Sequence, residues 1–176
     1  MLTIRMNESA AAALQPLRLT AALSAADLHD ELRAKLSQGV VESEGALIFA
    51  AHHRSDSPTA AIARMGWPDL THYECQVNSF HLEDYAPVEV AVLEDGQPQI
   101  NHADQVGLLR LGLSVADAVR SLVRAHTSRT AIRCIISAND TNGVFRFHRI
   151  RCGEQWGVHD LDQYRSEMAV TVDDQP

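Results

Sequence analysis

The sequence predicts an α+β fold: a single domain on a twisted, mainly antiparallel sheet of about five to six strands, with helices packed on one face. Three observations predict it. Two segments carry apolar residues at helical spacing, Leu28, Leu32 and Leu36 in one and Val115, Ala118, Val119, Leu122 and Val123 in the other. Two neighbouring segments, Thr71–Ser79 and Pro87–Leu93, alternate with a period of two, as a strand with one buried face does. The chain of 176 residues, 45% apolar and 22% charged, is long enough for one core that hides roughly 70% of the unfolded surface.

Taken in order, Leu2–Met6 reads as a short first strand and Glu8–Leu14 as an alanine-rich helix that Pro16 ends. Ser24 and Asp27 have capping-box spacing ahead of the Leu28–Leu36 stripe, and Gly39 suits a left-handed helix end. After a turn through Glu42–Gly45, Ala46–Ala51 is a buried strand; His52–Pro58 is a loop, Ala60–Met65 a short helix, and Trp67-Pro68-Asp69 a turn. In the Thr71–Ser79 strand, Tyr73, Cys75 and Val77 face inward and His72, Glu74, Gln76 and Asn78 outward. Val88, Val90 and Val92 repeat the pattern up to the Asp95-Gly96 turn.

Asn101–Arg110 is helical, and Ser114 with Asp117 caps a second helix. Ala131–Ser137 and Val144–Arg151 form a hairpin about the Asn139–Gly143 turn. Asp160 with Gln163 caps a closing helix through Met168. The domain is drawn over residues 1–172, with 173–176 a frayed acidic tail.

Composition excludes several classes. No apolar run reaches the ~20 residues of a spanning helix, so no membrane partner is expected. Glu8, Gln15, Pro16 and Arg18 interrupt any export-signal core. Cys75, Cys134 and Cys152 are odd in number and form no C-x-x-C pair, which points to reduced thiols, a cytoplasmic setting and no structural zinc. The nine histidines include no H-x-x-x-H or H-E-x-x-H, so no metal site is assigned. His72 with Glu74, and Glu83 with Asp84, stand as candidate acid–base pairs. Nucleophile-elbow, phosphate-loop and dinucleotide fingerprints are absent, and no cofactor is expected.

Charge supplies the functional lead. The net charge is −8, yet residues 110–151 hold eight arginines against two aspartates, a local +6 that leaves −14 elsewhere. The candidate anion-binding residues are Arg120, Arg124, Arg129, Arg133, Arg146, Arg149 and Arg151. In the last hairpin strand, alternation puts Phe145, Phe147, Arg149 and Arg151 on one face and Arg146, His148, Ile150 and Cys152 on the other. Aromatics interleaved with arginines are one way to stack bases and neutralise phosphates, whereas Trp156 and Tyr164 read as packing residues.

The order of elements, with Asn139 and Asn142 after the late strand, loosely resembles acetyl-coenzyme-A-dependent N-acetyltransferases. Their phosphate-binding turn reads Gln/Arg-x-x-Gly-x-Gly/Ala. Leu109-Arg110-Leu111-Gly112-Leu113-Ser114 departs from it at both ends, so that family is not assigned. The expected role is a non-catalytic protein-binding or adaptor protein whose partner is another protein, a second copy included. The alternative is a small acyltransferase-like enzyme or nucleic-acid binder that holds a nucleic acid or a phosphate-bearing small molecule on the arginine-rich segment.

Overall fold

The computed structural model of the chain describes residues 1–15, 28–53, 56–127 and 129–176. Strands β1 (Leu2–Met6), β4 (Phe80–His81), β7 (Ile132–Ala138), β8 (Gly143–Arg149) and β9 (Met168–Asp174) form one sheet in the order β1–β9–β7–β8–β4. Every neighbouring pair is antiparallel. Two hairpins stand apart from it, β2 (Val40–Ser43) with β3 (Ala46–Phe49), and β5 (Val90–Val92) with β6 (Pro98–Ile100). The helices are α1 (Glu8–Leu14), α2 (Asp30–Ser37), α3 (Pro58–Met65), α4 (Leu70–Val77) and α5 (His102–His126). The fold is α+β.

Strand register separates the two faces of the sheet. Ile132, Cys134, Ile136 and Ala138 of β7 align with Phe147 and Phe145 of β8 and with Val172, Val170 and Met168 of β9, all in one buried cluster. Helix α5 lies on this face and contributes Leu108, Leu109, Leu111, Val115, Val119 and Val123. Each such side chain stabilises the fold by about 1.5–3 kcal/mol. A Cβ at Gly112 would overlap Ile136 Cγ2, so glycine is what lets the helix backbone approach β7 this closely.

The sequence reads α5 as two helices with a cap at Ser114; the structure corrects this to one helix of 25 residues. Ser114 is interior, and its Oγ donates to the Arg110 carbonyl 3.1 Å away instead of capping. Residues 109–114 therefore form no phosphate-binding turn. Helix α2 begins at Asp30; the Ser24–Asp27 box expected to open it lies outside the described residues.

Thr71–Ser79 is the main error of type: it is helix α4, not a strand. The Asp69 side chain caps it by accepting from His72 N at 2.8 Å. Helical geometry then stacks Glu74 and Asn78 one turn apart, and both are fully buried. Glu74 accepts from Leu47 N of β3 and Arg149 N of β8 at 2.5 and 2.7 Å. Asn78 accepts from Phe49 N at 2.9 Å and donates to the Leu47 and Phe147 carbonyls at 2.9 and 3.1 Å. Two polar side chains thus satisfy facing edges of two sheets that share no ladder.

The C-terminus is corrected twice. The closing helix is a single 3-10 turn over Leu161–Gln163, followed by β9. The frayed tail of 173–176 begins instead as strand: Asp173 and Asp174 are 8% and 5% exposed, flanked by β1 and β7. Burial of those carboxylates is sustained by Arg133, which grips Asp173 at 2.6 and 2.7 Å, and by Arg120 and Arg124 on Asp174. The valine stripe of β5 is also turned outward, with Val90 and Val92 exposed. Among the described residues, no helix is long and apolar enough to cross a membrane.

Candidate functional site

The face of the sheet opposite α5 forms the floor of a groove. By register it carries Arg5 of β1, Thr171 and Ala169 of β9, Arg133, Ile135 and Ser137 of β7, and Val144 and Arg146 of β8. One wall descends from α4 through His72, Gln76, Ser79 and His81; the other is the arm between β8 and β9, with Trp156, Val158 and Tyr164. The groove is open to solvent along its length and has a volume of about 620 Å³, within the ~300–1,000 Å³ of ligand pockets.

The arm is pinned at both ends. Thr71 N donates to Glu154 at 3.0 Å near its start. Near its end, the buried Asn7 side chain donates to the Tyr164 and Glu167 carbonyls at 3.1 and 2.8 Å. The same Asn7 oxygen accepts from Ala10 N and Ala169 N, each at 3.0 Å, so one amide caps α1 and anchors both β9 and the arm. Between these points, Gly157 turns at φ +68° beneath the Tyr164 hydroxyl, which accepts from Val158 N at 3.2 Å.

The seven candidate arginines do not share one patch. Arg120 and Arg124 lie on the α5 side, bonded to Asp174 at 3.2 and 2.7 Å. Arg149 and Arg151 lie at the α4 edge, where Arg149 pairs with Glu42 at 3.0 Å and Arg151 with Glu74 at 2.6 Å. Arg129 is exposed beyond the end of α5. Only Arg133 and Arg146 reach the groove, where Arg5 joins them unforeseen. Arg133 and Arg5 share Asp173, the latter at 3.5 Å. Arg146 has no carboxylate partner among the described residues; its guanidinium sits over the Trp156 ring, 5.9 Å from the centroid.

Two imidazoles line the same groove. His72 Nδ1 lies 2.9 Å from Asp69 Oδ1, and its ring meets Trp156 edge-on at 5.0 Å. Burial works against the Asp69 charge, but the backbone and ring hydrogen bonds of His72 hold its carboxyl below the usual range. His81, opposite Val144 on β4, has Nδ1 3.0 Å from Glu83 Oε1, and Glu83 Oε2 accepts from Gly143 N at 2.8 Å. The expected pairings of His72 with Glu74 and of Glu83 with Asp84 are thereby replaced. Glu74 is sealed in the core, so His72 takes the helix-capping Asp69 and His81 takes Glu83.

Two further groups lie on this face without partners. Thr171 Oγ1 and His148 Nε2 are buried with no hydrogen-bond partner among the described residues. His148 Nδ1 donates to the Arg149 carbonyl at 2.8 Å, and burial pushes the imidazole below the ordinary histidine range. The Cys75 and Cys134 thiols are pushed upward by burial, which removes them as nucleophiles. A second cavity of about 670 Å³ lies by α3 and α4, but its Arg64 is bonded to Asp56 at 3.4 Å, leaving no comparable anchor.

Residues 5–175 match the uncharacterized protein PM0498 family, and the chain belongs to that family. No curated protein and no solved structure matches the chain.

Proposed function

We propose that the protein binds a small phosphate-bearing ligand in the groove, with Arg146 as the anchor for its anion. The observation that carries this reading is Arg146 itself: a guanidinium held over an indole, within the groove, with no carboxylate partner among the described residues. Three arginines and one glutamate line the cavity of a chain whose net charge is −8. A guanidinium fork matches two phosphate oxygens at once, and the Trp156 face can cover an apolar or aromatic portion of the ligand.

The test is thermal denaturation with millimolar phenyl phosphate, coenzyme A and nucleotides. A ligand at 100 times its Kd stabilises the fold by about 2.7 kcal/mol. Arg146→Gln is expected to weaken binding about 10- to 100-fold, as loss of a charged hydrogen bond worth ~1.5–3 kcal/mol implies. Absence of stabilisation by all three ligand classes rejects the reading. A reducing cytoplasmic setting belongs to the same proposal and accords with three cysteines that form no disulfide.

One observation favours a second reading, a contact with another protein. Val90, Val92 and Leu93 on the β5–β6 hairpin are 42%, 73% and 43% exposed, a local apolar cluster outside the main core. The occupant proposed is a second copy of this chain. Light scattering should show a dimer that Val92→Asp disperses; a monomer at all concentrations removes this reading.

A further inference from the structure

We propose that the groove is also a catalytic site for phosphodiester hydrolysis, with His72 and His81 as the acid–base pair on either side of the phosphate that Arg146 holds. This rests on the binding reading above and adds to it a reaction.

The geometry starts from the two imidazoles. Each has Nδ1 within 3.0 Å of a carboxylate oxygen, Asp69 Oδ1 for His72 and Glu83 Oε1 for His81. An ionised carboxylate only accepts, so each Nδ1 carries the proton, and Nε2 is left as the nitrogen that can take or give one. Both rings line the groove. The carboxylates are fixed in turn: Asp69 accepts from His72 N at 2.8 Å, and Glu83 from Gly143 N at 2.8 Å. These are base–orienter pairs of the kind that acid–base catalysis requires.

Arg146 lines the same groove and is tied to each of them. His81 stands beside Val144, two residues before Arg146 on the same face of β8. His72 touches the Trp156 ring that Arg146 covers. Displacement at phosphorus runs in line, with nucleophile and leaving group on opposite sides of the transferred group. Two proton-transfer groups that share one groove with a cation supply the parts such a displacement needs.

The reaction balances without a further reagent beyond water. One Nε2 takes a proton from water as its oxygen bonds to phosphorus. The P–O bond to the leaving group breaks, and that oxygen takes the proton of the other imidazolium. The products are a phosphomonoester and an alcohol, and solvent exchange resets the two rings. Arg146 holds the non-bridging oxygens as charge builds on them.

The full chain would be assayed for release of phenol from diphenyl phosphate, whose leaving oxygen needs the proton, with phenyl phosphate binding measured in parallel. His72→Ala and His81→Ala should each lower kcat by about 100-fold or more, while phenyl phosphate affinity stays within about threefold and the circular dichroism is unchanged. Asp69→Asn keeps the α4 cap and should lower kcat without raising KM, the signature of a positioning residue. If the wild type is no faster than the double histidine variant while phenyl phosphate binds through Arg146, catalysis is overturned and the binding reading stands. If phenyl phosphate does not bind at all, both fall. Turnover that survives either single histidine substitution also overturns the assignment.

Discussion

Replacing Glu74 by alanine should be among the most damaging single changes in this protein. Its carboxylate is 0% exposed and makes four hydrogen bonds, to Leu47 N at 2.5 Å, Arg149 N at 2.7 Å and the Arg151 guanidinium at 2.6 and 2.9 Å. Glu74→Ala leaves two backbone donors without partners, at ~1–3 kcal/mol each. It also strips the carboxylate from Arg151, whose side chain is 15% exposed; removing one partner of a buried pair typically costs about 3–5 kcal/mol. The terms overlap because water can enter the gap and Arg151 keeps the Gly45 carbonyl at 2.7 Å. The expected loss is therefore about 4 kcal/mol, a large part of the ~5–15 kcal/mol available to a domain. With a urea slope of ~2 kcal/mol/M, the unfolding midpoint should fall by about 2 M. Glu74→Ala combined with Arg151→Met should lose less than Glu74→Ala alone, because the uncompensated cation is gone. A midpoint drop below about 0.5 M, or a double variant worse than the single one, would refute the view that Glu74 joins the two sheets.

Three other outcomes test the packing, the titration and the groove. Gly112→Ala should destabilise the fold by about 1–3 kcal/mol, since its Cβ overlaps Ile136 Cγ2, and Ile136→Ala, which removes that atom, should cost less in the Gly112→Ala background than in the wild type in urea titrations. His148 is held below the ordinary histidine range by burial, with Arg133 and Arg151 acting the same way and the Arg149 carbonyl and Asp173 opposing. The unfolded chain then binds a proton near pH ~6.5 that the folded chain refuses, so stability falls as pH drops below that value. His148→Gln should flatten the stability profile between pH 7.5 and 5, and an unchanged slope would count against it. Gly157→Ala, at φ +68° beneath Tyr164 Oη, should misplace the arm. Phenyl phosphate affinity should drop about tenfold by calorimetry, with about 1 kcal/mol lost from overall stability.

Much of the fold was readable, and its failures have physical causes. The β7–β8 hairpin, β1, α1 and the β3 strand follow from patterns a few residues long. Helix α4 does not, because Tyr73, Cys75 and Val77 satisfy a period of two while Leu70, Tyr73, Glu74 and Val77 satisfy a helical one. What decides is tertiary: β8 and β3 need partners for their open edges, and only a helix stacks Glu74 over Asn78 to supply them. The strand at Asp173–Asp174 was equally hidden, since its arginines stand 40 to 54 residues away in the chain. Two adjacent aspartates look solvated until those cations are placed beside them.

The candidate site shows the difference between counting charges and locating them. The excess of arginines in residues 110–151 is real, but most of it neutralises acids brought from distant parts of the chain. Alternation alone separated Arg146 from Arg149, placing it on the face away from Phe145 and Phe147, and that face holds the groove. The histidines carried a local signal of a different kind: Asp69-x-x-His72 spans a helix cap and its third residue, and His81-x-Glu83 brackets the end of a strand. In both, residues two or three apart bring Nδ1 to a carboxylate, although Glu83 is also held by the distant Gly143 N. Only the sheet register, which sets His81 beside Val144 and therefore beside Arg146, turns two local pairs into one site. A function carried by such an arrangement depends on pairings between distant strands, and patterns confined to neighbouring residues cannot reveal it.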